Sequence, residues 1–138
     1  MTTASLRGIF VTALLSALSL TARAQVVEFR ATINAAQEVP ATTSAATGSA
    51  IMLYDVGTNT FDLFITINGM TNALSASHIH EAAVGVSGPV VVPFANTSYA
   101  LAGTTLSGTI LRLPYTGDKL KLLQNGAYVN FHSAQFPG

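Results

Sequence analysis

Alternation of apolar and polar residues limits the fold of this chain more than any other feature. In residues 26–33, Val27, Phe29, Ala31 and Ile33 fall on one side, with Glu28, Arg30 and Thr32 on the other. In residues 60–67, Phe61, Leu63, Ile65 and Ile67 do the same. Side chains of a strand point alternately to opposite faces, so this pattern belongs to half-buried strands. Residues 47–56 read as a further strand, with Gly48 at a bulge, and Asp55-Val56-Gly57-Thr58-Asn59 as the turn of an antiparallel hairpin. Residues 104–113 alternate around Leu106, Gly108, Ile110 and Arg112, with Thr109, Leu111 and Leu113 opposite.

Other segments are shorter. Residues 34–43 contain Gln37-Glu38-Val39-Pro40 and read as a loop or edge, because Pro40 has no amide hydrogen to donate. Residues 89–94 are a short apolar run, a buried strand placed near an edge by Pro93, and 96–103 read as loop. Residues 116–125 break the alternation. Leu120, Leu122 and Leu123 repeat helically, Thr116 can cap, and Gly126 suits the position after a helix. Residues 127–133 are the last clear strand. Many short strands separated by turns predict an all-β sandwich or barrel with one short helix. The expected core is Phe29, Ile33, Leu53, Phe61, Leu63, Ile65, Ile79, Val91 and Val129.

Residues 1–24 read as a signal peptide rather than part of the fold. Arg7 supplies a positive start, residues 9–20 an apolar stretch too short to span a bilayer, and Ala22-Arg23-Ala24 a small-x-small cleavage site. The domain is expected to occupy residues 25–138, secreted or periplasmic. It carries four basic residues (Arg30, Arg112, Lys119, Lys121) against six acidic ones (Glu28, Glu38, Asp55, Asp62, Glu81, Asp118), a net of −2. That balance excludes a basic nucleic-acid surface and a polybasic membrane motif. No cysteine is present, so the fold rests on its core without disulfides. No stretch after the signal is long enough to cross a membrane.

The chain has three histidines. His78 and His80 are two apart in Ala76-Ser77-His78-Ile79-His80-Glu81, so on a strand they share a face while Ile79 takes the other. His132 lies in Tyr128-Val129-Asn130-Phe131-His132, on the last strand. If the two strands approach, all three rings can meet. Ring nitrogens would then lie roughly 3–5 Å apart, the spread set by bonds of about 2 Å to one shared ion, with a position left open. Imidazole suits copper, zinc, iron or nickel. Glu81 reads as a solvated charge facing away from the histidines. No Ser-His-Asp arrangement, phosphate loop or dinucleotide fingerprint is recognisable.

A set of short motifs in order resembles the CHRD domain, a family first described in chordin and common in exported bacterial proteins. The motifs are Gln37-Glu38-Val39-Pro40, Ala46-Thr47-Gly48-Ser49-Ala50, His78-Ile79-His80, Gly88-Pro89-Val90-Val91, Gly126-Ala127-Tyr128-Val129-Asn130-Phe131-His132 and Pro137-Gly138. The resemblance implies a Greek-key, immunoglobulin-like β-sandwich related to copper/zinc superoxide dismutase. His78-Ile79-His80-Glu81 looks like the dismutase His-Val-His-Glu strand, which gives two copper ligands, and His132 looks like the later histidine that gives another. The sequence departs from the family where Glu81-Ala82-Ala83 replaces Gly-Pro-Ala after His-x-His. The family also runs on past Pro-Gly into a closing strand of the type Gly-Glu-Ile-Arg-Gly. The resemblance therefore implies a C-terminally truncated domain, or one completed by a strand from a partner chain.

The function expected from these readings is a non-catalytic metal-binding module that holds copper, with zinc behind it, through His78, His80 and His132. The alternative is an extracellular interaction or structural domain without metal, binding a protein partner by edge-strand pairing. The third reading, a dismutase-like redox enzyme, lacks further histidines for a second metal, a cysteine pair and an arginine after His132.

Overall fold

The computed structural model describes residues 25–137. The segment read above as a signal peptide, and Gly138, lie outside the described residues. Eight strands and one short helix follow in order: β1 (Val26–Asn34), β2 (Thr47–Asp55), β3 (Thr60–Asn68), β4 (Leu74–Glu81), β5 (Val90–Pro93), β6 (Tyr99–Ala102), β7 (Thr105–Pro114), α1 (Lys119–Leu123) and β8 (Ala127–Ser133). They build two antiparallel sheets, one of five strands in the order β1-β2-β3-β7-β6, the other of three in the order β5-β4-β8. The sheets face each other as an all-β sandwich. Among the described residues no helix is long and apolar enough to cross a membrane.

The core forms where the alternating strands turn inward. Phe61, Leu63, Ile65 and Ile67 of β3 are all buried, as are Ile79 of β4 and Leu106 and Ile110 of β7. Phe29, Ile33, Val91 and Val129 are half-buried and pack against this cluster. Leu53 departs from expectation. Strand β2 is apolar on both sides, so alternation cannot choose its inner face; Ala50, Met52 and Tyr54 point inward, while Leu53 sits between Glu28 and Asp62 in the register. In β5 it is Val92, not Val91, that is fully buried, and Val90 is exposed.

Several other local expectations are corrected. Gly48 is not at a bulge, since the register runs unbroken through it on both sides. Its small size serves close approach instead: a Cβ there would stand 2.3 Å from the Thr66 carbonyl oxygen. A bulge lies instead in β7, where the pairing with β3 shifts between Phe61 and Leu63, and β4 has register shifts of its own against β5 and β8. Arg112 takes a left-handed φ of 53° at the β7 bulge, and its amide donates to Asp62 Oδ1 at 2.7 Å. That extra residue returns Leu113 to the inner side, against the core. Residues 99–102, read as loop, form β6 against β7.

The helix is shorter than its pattern. Asp118, not Thr116, caps it, its side chain accepting from the Leu120 amide at 2.8 Å. Asn125, with φ 59°, takes the left-handed position after the helix, and Gly126 follows it. The amides of Asn125 and Gly126 donate to the carbonyls of Leu122 and Lys121, at 3.0 and 2.8 Å.

Candidate metal centre

Strand β4 is central in the three-stranded sheet, and its pairing with β8 sets the site. His78 lies opposite Asn130, His80 opposite Tyr128, and Ala76 opposite His132. Residues paired in this way share a face, so all three histidines stand on the side of the sheet away from the core. The His78 ring centroid is 5.3 Å from that of His80 and 5.0 Å from that of His132. Each residue offers a ring nitrogen, and those nitrogens all lie within 4.8 Å of one another. The strand geometry expected from the sequence is therefore present, with Ile79 pointing the opposite way and 1% exposed.

The arrangement leaves nitrogens without partners. His78 Nδ1 and His80 Nε2 are buried and make no hydrogen bond. His80 Nδ1 is 2.8 Å from the Gly88 carbonyl oxygen. A carbonyl only accepts, so Nδ1 carries a proton, and in the neutral ring the lone pair is then on Nε2. The ring is also stacked on Tyr128, at 4.9 Å between centroids and 5° between planes. The Tyr128 hydroxyl in turn accepts from the Gly88 amide at 3.2 Å. Gly88 can make this approach because it has no side chain: a Cβ would stand 2.1 Å from the Glu81 carbonyl oxygen. One peptide and one ring thus fix the orientation of His80, as outer partners do for metal-ligating histidines.

Burial favours the neutral form of two of the rings, His78 and His132. Burial lowers the His78 pKa, and His132 and His80 lower it further as potential like charges. Burial also lowers that of His132, with Glu38 opposing and His80 adding. Neutral imidazoles with free lone pairs are the form that binds metal. The residues present therefore fit a cation: one ring nitrogen from each histidine converges, and His78 Nδ1 and His80 Nε2 are buried without a partner.

Glu81 corrects the sequence reading. It does face away from the histidines, but it is buried at 8% exposure rather than solvated. Its Oε1 accepts from the Tyr115 hydroxyl at 2.8 Å and from the Asp118 amide, and Lys121 Nζ lies 3.5 Å from Oε2. Burial first, and then Glu81 itself, raise the Tyr115 pKa, so the phenol keeps the proton it donates. The parity that puts Ile79 inward also puts Glu81 inward, and that was the available signal. Tyr128 and Asn130 could likewise have been found by their even spacing from His132. Nothing in the sequence brings Gly88 or Glu38 to the site, because both come from connections between strands.

A two-sheet β-sandwich carrying a three-histidine cluster on its smaller sheet is the class of protein these observations define. The CHRD domain model matches residues 29–138, and the chain belongs to the CHRD domain family. No curated protein and no solved structure matches it.

Proposed function

We propose that this domain is a non-catalytic metal-binding module, with copper the favoured ion and zinc behind it, working in the periplasm or outside the cell. The observation that carries the reading is the convergence of one ring nitrogen from each of His78, His80 and His132 to within 4.8 Å, in a cluster where His78 Nδ1 and His80 Nε2 are buried without a partner. A buried polar atom without a partner costs about 1–3 kcal/mol, which a coordinated ion would recover. A bound divalent ion would supply positive charge and, with three protein ligands, a position for a small external ligand. The preference for copper rests on the likeness of His78-Ile79-His80 and His132 to the dismutase copper ligands. The same likeness supports a Greek-key, immunoglobulin-like strand order. The export reading rests on the character of residues 1–24.

The test is metal analysis of the purified protein after exposure to Cu(II) or Zn(II) and removal of free ion. One equivalent is expected on the wild type and almost none on His78→Ala. Wild type and variant both below a tenth of an equivalent would end this reading.

A second reading has its own observation. β1 is the outer strand of its sheet, nine residues long, with no proline in it and an unbroken register against β2. Beside it a cleft of about 290 Å³ opens between the sheets, lined by Phe29, Met52, Ile79, Leu122 and Val129 among others. Long unprotected edges accept further strands. On this reading the domain binds a protein partner that adds an extended segment to β1. Replacing Ala31, half-buried on β1, by proline should abolish such binding; crosslinking in the native envelope that is unchanged by the substitution would reject it.

A further inference from the structure

The Gln37-Glu38-Val39-Pro40 segment supplies none of the converging ring nitrogens, yet the structure brings it to the same face. The connection from β1 to β2 folds back on itself. Gln37 Nε2 donates to the Thr32 carbonyl at 3.1 Å, and the amides of Glu38 and Thr42 both donate to the Ala35 carbonyl at 3.3 Å. These bonds aim Glu38 at β8, where Asn130 Nδ2 donates to Glu38 Oε2 at 3.3 Å. The orientation of Asn130 is itself fixed. Its Oδ1 accepts from the Phe131 amide at 2.8 Å, so its amino group must turn toward Glu38. Asn130 is the cross-strand neighbour of His78 and stands two residues before His132. Glu38 is half-buried and is not one of the residues whose ligand atoms converge. It is an acid held just outside a set of three imidazole donors.

We propose that Glu38 is a positioning and charge-compensating residue of the metal centre, and that it makes the site prefer divalent over monovalent cations. The proposal rests on the metal reading above. Three neutral imidazoles leave the whole charge of a bound ion uncompensated in a partly desolvated place. A fixed carboxylate beside them offsets it. The Glu38 charge also acts on the His132 ring, opposing the effect of burial, which is consistent with its reach. Because Coulomb energy is proportional to the charge of the ion, a dication gains twice what a monocation gains from the same carboxylate. Preference by charge therefore follows from placement alone, without a fourth ligand.

The experiment measures the affinities of Zn(II) and Ag(I), a divalent and a monovalent probe without redox change, for the wild type, Glu38→Gln and Glu38→Asp. Loss of an outer partner weakens metal binding by about 10–100-fold. With about tenfold for Zn(II) in Glu38→Gln, half the free energy makes the loss for Ag(I) about threefold. Glu38→Asp, which keeps the charge, should retain most of the affinity for both. Should Glu38→Gln fail to fold, Glu38→Ala serves as the uncharged variant. Equal losses for the two ions would show a structural role and overturn the proposal, as would no loss for either. In both cases the three-histidine reading stands, because the wild type still binds. A wild type that binds neither ion would overturn that reading and this proposal with it.

Discussion

The two faces of β4 are built on opposite principles. On the inner face every polar group is matched. Ser77 Oγ donates to the Tyr99 hydroxyl at 3.0 Å, Glu81 has Tyr115, Asp118 and Lys121 around it, and Ile79 fills the space between. On the outer face, one residue away in each case, His78 and His80 each keep a buried nitrogen with nothing bound to it. The inner face contributes to stability by burial and matched hydrogen bonds. The outer face instead carries the histidine nitrogens, with the orientation of His80 set by Gly88 and Tyr128. The contrast separates the face that folds the domain from the face that carries the histidine cluster, on a single eight-residue strand.

The largest effect should come from breaking the inner face. Ile79→Ala removes a fully buried side chain and should cost about 2–5 kcal/mol in chemical denaturation. If its stability equals that of the wild type, Ile79 is not the anchor of this strand. On the outer face the effect should depend on metal. Ion at about a hundred times its dissociation constant should stabilise the wild type by about 2.7 kcal/mol. His78→Ala should lose that gain while its metal-free stability stays within about 1 kcal/mol of the wild type. A metal-free variant that melts far below the wild type would make His78 a core residue instead.

Acidity sharpens the same contrast. The depressed pKa values of His78 and His132 mean that the unfolded chain takes up protons before the folded one does. Stability from these groups is complete above their ordinary value of 6.5 and is lost as pH falls below it toward the folded values. Metal affinity should fall over the same range, as protons compete for the rings. A denaturation series from pH 8 to about pH 5 should show both, and His78→Ala should flatten the slope in the metal-free protein. The smallest effect belongs to Leu53. Leu53→Ser on the outer side of β2 should change stability by roughly 0.5 kcal/mol, against about 2–5 kcal/mol for Met52→Ala beside it. Equal losses would mean that the inward face of β2 has been assigned wrongly.

These residues also show what the sequence could reveal. Strands with clean alternation, such as Phe61 to Ile67, showed their inner face directly. The His78–His80 pair followed from the same parity, and the convergence of His132 needed only that β8 lie beside β4. Parity fails where both faces are apolar, as at Met52 and Leu53. It also fails where a bulge resets it, as at Arg112. Glu81 was misread because a charge was given to solvent by residue type, although its position pointed inward. Glu38 and Gly88 could not be placed, because pairing rules reach along strands and these residues arrive through the connections between them.

The Glu81 cluster has a practical consequence. A helix of five residues cannot sustain itself in water; α1 is held by Leu122 buried in the core and by the Glu81 carboxylate, which gathers the Asp118 amide and Lys121. That carboxylate is the next residue along from His80. Leu120, the second residue of α1, is 66% exposed and free for chemical labelling. A fluorophore attached there through an introduced cysteine would report on the end of β4 from outside the histidine face, in a chain that has no other thiol to react.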